Sequence, residues 1–239
     1  MPDFHEIEAA LAEEAAAHAR ASADLNSFGE AEAVEMGSAR LVYSGVFSSV
    51  HGVYGLGLDG PAEERDWAEI DRFFQRKERA PVYYLAPFAD AGISIHIRPT
   101  HRLDRSEKIC GWMLEGNGET MHEAYLSGPD HGEWSLAFAR LRNPAAKEAD
   151  LLSATKLHQK NTRFYLQAGA ASYTFFHRGV AVVPYPAGLS LLKLQKKEAE
   201  AFRCKAFVVM GSQSAQSGDI ADNALPLLYE RKVYEPVRS

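Results

Sequence analysis

Apolar positions along the chain follow two periods, near 3.6 and near 2, that switch at Gly, Pro and Asp clusters. Residues 5–24 are built from strong helix formers with no Gly or Pro, which predicts a helix. Ala39–Val46 and Gly52–Leu58, rich in Val, Tyr and Leu, read as strands. Asp59-Gly60-Pro61 marks a helix start, because proline is tolerated where the N–H would be unpaired anyway. Trp67, Ile70 and Phe74 then fall at i, i+3 and i+7, one face of a helix running to about Lys77. Pro81–Ala86 is a short strand and Pro87–Asp90 a loop. The alternation in Ile93–Ile97 predicts a strand, with room for a short helix, and Ile109–Leu114 is a further strand.

Glu115-Gly116-Asn117-Gly118 interrupts the pattern and is the natural linker. Beyond it, Trp134, Ala137, Phe138 and Leu141 give a helical face, and a second helix covers about Lys147–His158. Phe164–Gln167 and Ser172–Phe176 are a pair of strands or one bent strand. Val180–Val183 is a short buried strand ended by Pro184, Leu189–Phe202 a helix, and Ala206–Met210 another buried strand. Asn223–Arg231 reads as a helix and Val233–Val237 as a last strand. Each half runs through helix, strands, helix and strand over about 115 residues, the size of one small domain. The division predicted is 1–116 and 117–239.

Composition narrows the function. Apolar residues make up 46% and charged residues 24%, an ordinary globular balance. The net charge of −6 argues against nucleic acid as a partner. No apolar run approaches the roughly 20 residues of a membrane span. The first thirty residues lack the basic start and apolar core of a signal peptide, so a cytoplasmic protein is expected. Cys110 and Cys204 stand far apart, without a CxxC partner, which fits reduced thiols. Acids concentrate in residues 1–35, whereas Lys193–Lys205 is basic.

Three motif matches lack their context. Gly55-Leu-Gly57-Leu-Asp-Gly60 has the GxGxxG spacing of a dinucleotide site, but its helix begins only at Pro61 and no acid closes the next strand. Ser153-Ala-Thr-Lys156 is an SxxK without its companion motifs. His96, His101 and Asp104 match no standard ligand spacing, so no metal is expected.

The segment from Val180 to Lys193 differs. It is a strand, a proline, a tight loop containing Gly188, and then a helix. A helix starting straight after such a loop offers unpaired N–H groups and the positive end of its dipole, an anion site suited to a pyrophosphate. Val182-Val183-Pro184, Tyr185-x-x-Gly188-x-Ser190 and the later run from Asn223 to Leu228-Tyr229-Glu230-Arg231-Lys232 resemble the motifs of the GNAT N-acetyltransferases. In that superfamily a strand ending in V-x-P leads into a Q/R-x-x-G-x-G/A loop around the acetyl-CoA pyrophosphate. Here Tyr185 stands at the Q/R position, Pro186 lies inside the loop, Ser190 takes the last Gly/Ala position, and Val233-Tyr234 replaces the usual Gly-Phe. Val53–Pro61, Phe73-Phe74 and Leu85–Asp90 resemble the degenerate first domain of bacterial two-domain members.

The resemblance implies an α/β (α+β) chain of two GNAT-like domains. Each would be a mixed, mostly antiparallel twisted sheet flanked by helices, with acetyl-CoA bound only in the second. It implies acetyl transfer to a primary amine of a small molecule or peptide. Val182, Val183, Gly188, Leu189, Ser190 and Asn223 would contact the cofactor, and Tyr229 would protonate the departing thiolate. Glu133 and His131 lie on the expected acceptor side, and a water chain serves equally as base. A homodimer stays open, as does an inactive GNAT-like module that acts through protein contacts.

Overall fold

The computed structural model describes residues 3–25, 30–45, 50–116, 131–142, 155–157, 159–168, 170–210 and 225–237. By contacts the chain forms two compact units. One comprises Leu11–Glu107 with Tyr229–Ser239, and the other Met1–Ala10 with Lys108–Leu228. In each, a mixed, mostly antiparallel sheet is flanked by helices.

The first unit contains most of helix α1 (Phe4–Asp24), strands β1 (Glu32–Met36), β2 (Ala39–Tyr43) and β3 (His51–Tyr54), helix α2 (Glu64–Arg76), strand β4 (Tyr83–Leu85) and helix α3 (Ala91–Ile97). Its sheet runs β1-β2-β3-β4 and is completed by β10 (Leu227–Pro236). β3 and β4 are parallel and the other pairings antiparallel. A parallel pair needs a crossover, and α2 supplies it. Ile70, Phe73 and Phe74 bury the apolar face of α2 against Leu41, Val53, Tyr83 and Leu85. On a second core, Ala12, Ala15, Ala16 and Ala19 of α1 pack against Val42, Tyr84 and Val233.

The other unit contains the C-terminal half of β5 (His101–Met113), α4 (His131–Arg142), β6 (Thr162–Gln167), β7 (Ala170–His177), β8 (Val180–Val183), α5 (Leu189–Ala201) and β9 (Ala206–Met210). The strand order is β6-β7-β8-β9-β5, with β8 and β9 parallel and the rest antiparallel. Here α5 is the crossover. The two units therefore repeat one strand pattern, a repeat too faint to read from residue identities.

Most expected elements are present, and the differences have physical reasons. β1 was not anticipated. The strand expected over 52–58 stops at Tyr54, because Gly55 and Gly57 turn the chain at φ +71° and +79°. Ile93–Ile97 lies in a helix, since the Asp90 carboxylate accepts the Gly92 N–H at 2.8 Å and starts a turn that the local alternation disguises. β6 and β7 are two strands of a hairpin. Of the helix expected over 147–158, only 155–157 falls among the described residues, and it is helical. The helix expected over Asn223–Arg231 is a correction: from Leu227 the chain is strand β10, following Pro226. Tyr229, Arg231 and Val233 point inward, and Glu230 and Lys232 outward. A buried arginine in the middle of that alternation hides its period of two. No helix among the described residues is long and apolar enough to cross a membrane.

Two outcomes test this packing. Phe74→Ala removes a side chain that is 1% exposed and should lower stability by about 3–5 kcal/mol in urea titrations. His101 is buried, with Nε2 3.0 Å from the Pro81 carbonyl and Nδ1 2.8 Å from Thr100 Oγ1, and burial holds its pKa below the ordinary histidine value. The unfolded chain thus takes up this proton first, so the contribution of His101 is complete above about pH 6.5 and lost as pH falls below it. His101→Gln should flatten the fall in unfolding free energy between about pH 7 and pH 5.

Candidate functional site

The end of β8 and the start of α5 bring together most of the residues singled out from the sequence. Val182 and Val183 are fully buried and pair in register with Val208 and Val209. Pairing persists to the last residue of β8, where Val183 lies opposite Val209. Their side chains belong to the sheet, which leaves only main-chain groups for a ligand.

Pro184-Tyr185-Pro186-Ala187 then leads to Gly188, the residue before the first turn of α5. Gly188 adopts φ +133° and ψ +153°, a region open essentially to glycine. A Cβ there would meet no atom within 4 Å, so the loop has free space in front of it. Gly188 supplies no side-chain cap, its carbonyl accepts the Leu192 N–H at 3.1 Å, and the first turn holds no acid. The N–H groups of Leu189, Ser190 and Leu191 precede the first intrahelical donor, Leu192, and face outward along the helix axis. Leu189 and Ser190 are exposed, and Ser190 Oγ donates to Gln167 Oε1 at 3.0 Å. Lys193 and Lys197 continue the exposed face.

The corresponding helix of the first unit has a different start. α2 begins with Glu63, Glu64 and Asp66, and the Asp66 carboxylate accepts the Glu63 N–H at 2.8 Å. That terminus is closed by its own acids, which also repel an anion. Gly55, Gly57 and Gly60 lie in the turn before it rather than in a helix mouth.

Tyr185 turns away from the loop mouth. Its ring packs on Phe138 and Tyr173, at 5.9 and 5.8 Å between centroids, while Ser172 Oγ donates to its carbonyl at 2.9 Å. Pro186 is buried. Neither residue contributes a side-chain donor to an anion.

The other predicted residues are distributed as follows. Tyr229 lies on β10 in the first unit, buried, with its ring edge-on to Phe88 at 5.4 Å. It is a strand residue, not the helical one expected. Asn223 lies outside the described residues, as does the side chain of His131, while Glu133 is exposed on α4. His96 stacks on Trp67 at 3.9 Å, and no cluster of metal-ligating residues occurs among the described residues. Part of the basic stretch is neutralised, since Lys196 pairs with Glu200, and Lys205 with Glu6 at 2.7 Å.

A cavity of about 640 Å³ lies along the last turns of α5, lined by Trp112, Lys196, Glu200, Arg203 and Cys204. It is at the wrong end of the helix for the anion site. Cys204 is fully buried, and that burial pushes its thiol up to about 12.

No protein-family model and no curated protein matches the sequence. Among solved structures, the chain is similar to a GCN5-related N-acetyltransferase from Kribbella flavida, with 14% identity and a TM-score of 0.49 over 93% of this chain and 96% of that one. A second such enzyme, from Sphaerobacter thermophilus, gives 12% identity and a TM-score of 0.46 over 98% and 94% of the two chains. A functionally unknown conserved protein from Staphylococcus epidermidis ATCC 12228 gives 6% identity and a TM-score of 0.48 over 89% and 97%.

Sequence reasoning missed Ser172 and Gln195. Gln195 offered a signal: it occupies an inward position among Leu191, Leu192 and Ala199, where the helical period calls for an apolar residue. The backbone at Gly188 gives a direct test. Gly188→Ala finds space for its Cβ but not for its φ, and should cost about 1–3 kcal/mol in chemical denaturation while the fold is retained.

Proposed function

We propose that the chain transfers an acetyl group from acetyl-CoA to a primary amine of a small molecule or peptide. The observation that carries this reading is the start of α5, an acid-free helix N-terminus behind a glycine whose missing side chain leaves the approach open. Main-chain donors and the helix dipole there suit a pyrophosphate. The motif resemblance around Val182-Val183-Pro184 and Gly188 supports acyl-CoA over other phosphate-bearing ligands.

The chemistry asks three things of the chain. The amine is neutral and held against the thioester carbon, so that an intermolecular step becomes a local one. A main-chain N–H at the end of β8 stabilises the oxyanion that forms as the amine adds. The C–S bond then breaks as the added nitrogen gives up its proton to a water chain, and the departing thiolate takes up a proton in turn. Gly188, Leu189, Ser190 and Asn223 complete the proposed cofactor contacts. Tyr185 and Pro186 add no side-chain donor, so phosphate binding rests on the main chain.

A thermal-shift series checks the reading. Acetyl-CoA should raise Tm, with about 2.7 kcal/mol of stabilisation at a hundredfold excess over Kd, and NAD(P) should not. Gly188→Glu should abolish the acetyl-CoA shift by bulk and repulsion. A wild-type chain with no acetyl-CoA shift would replace catalysis with the alternative of an inactive interaction module.

A further inference from the structure

A buried hydrogen-bonded chain links the proposed phosphate loop to the sheet beneath it. Gln195 is on the inner face of α5 and fully buried. Its Nε2 donates to Ser172 Oγ and to Thr174 Oγ1, both at 3.1 Å and both fully buried on β7. Ser172 Oγ in turn donates to the Tyr185 carbonyl at 2.9 Å. The Ser172 carbonyl accepts from Trp134 Nε1 at 2.9 Å, and Trp134 stacks on Phe138 at 4.7 Å. Tyr185 closes the set, its ring edge-on to Phe138 and tilted against Tyr173. The turn before α5 is thus held at two places on one residue, its carbonyl by Ser172 and its ring by the aromatic cluster.

From this geometry we propose that Ser172, together with Gln195, is a positioning residue for the acyl-CoA phosphate loop. The inference rests on the function proposed above. A cradle that binds through main-chain donors alone depends on where those donors stand before the ligand arrives. No flexible side chain is available at Tyr185 to adapt, because that side chain is used as the anchor. Ser172 fixes the carbonyl three residues before Gly188, and Gln195 fixes the second turn of α5 to the same hydroxyl. One serine therefore sets the turn and the helix against a common point. Thr174 shares the Gln195 amide, and its hydroxyl also bonds to Tyr165 on β6, which separates positioning from plain stability.

Hydrogen exchange in the ligand-free protein and acetyl-CoA titration test this together. The informative amides are Leu192, bonded to the Gly188 carbonyl, and Lys193 in the next position, with Glu200 and Ala201 as the reference at the far end of the helix. Ser172→Ala should speed exchange at Leu192 and Lys193 by about tenfold relative to Glu200 and Ala201, the fold-change of one lost hydrogen bond. It should weaken acetyl-CoA binding by a similar factor, raising KM with kcat little changed. Thr174→Val should lower overall stability while leaving that exchange ratio and the KM as they are. Ser172→Cys, which keeps a weak donor, should fall between Ser172→Ala and wild type. An unchanged or uniformly raised exchange profile in Ser172→Ala overturns the tether. A wild-type protein that does not bind acetyl-CoA overturns the function proposed above instead, a separate result because the exchange profile needs no ligand.

Discussion

The parallel pairing of β8 with β9 is the constraint on which the proposed site depends. Two parallel neighbours cannot be joined by a tight turn, so the chain must leave the end of β8, cross the sheet, and return at the start of β9. The crossover is α5, and its N-terminus necessarily stands beyond the C-terminal end of β8. Ligands of open α/β sheets commonly bind in such a place. Nothing about Gly188 would matter without that topology. The buried Val180–Val183 and Ala206–Met210 strands keep it in register, and Leu192 and Ala199 seat the helix on Ala181, Val183 and Val209.

A second constraint is electrostatic and belongs to the first unit. Arg231 is 1% exposed, with Nη2 2.6 Å from Glu107 Oε2 and its guanidinium 5.1 Å above the Tyr84 ring. Glu107 also accepts from Arg105, which reaches Glu235 at 3.0 Å. Burial, followed by neighbouring groups, holds the hydroxyls of Tyr54 and Tyr84 in their neutral form. Such a network contributes little net stability compared with an apolar core, but removal of one member leaves a charge buried without compensation. It therefore fixes which positions of β5 and β10 face inward.

That network also explains what was legible in the sequence. Strands with apolar inward positions, such as β2, β8 and β9, announced themselves, and so did helices with an apolar stripe, such as α2. β5 was recognised only from Ile109, because its earlier inward positions include Arg105 and Glu107. The segment that forms β10 reads as a helix because Arg231 breaks its alternation. Pattern reading assumes that inward means apolar, and it fails where a buried ion pair reverses that rule. Of the site, the loop at Gly188 was legible because strand, proline, glycine and helix follow one another within a dozen residues. The Ser172–Gln195–Tyr185 chain was not, because its members lie on three elements and only the fold brings them together.

The two units pose the same physical problem and resolve it differently. Each places a crossover helix after the third strand of its sheet, so each creates a helix N-terminus with unpaired donors. α2 satisfies its own, with Asp66 bonded to the Glu63 N–H and Glu64 beside it in the first turn. Those carboxylates complement the helix dipole and stabilise the helix, and by the same charge they exclude a phosphate. α5 has a glycine of unfavourable conformational entropy at that place, no cap, and no acid to offset the dipole. At its φ and ψ Gly188 is the residue that fits, so what α5 lacks relative to α2 is the side-chain cap and the acid. In sheets of the same strand pattern, α5 starts without a side-chain cap or an acid and α2 starts with a capping box, and only the first of these starts suits the proposed phosphate. The glycines at 55, 57 and 60 illustrate the converse, since they serve the turn out of β3 and lead to a helix that is already closed.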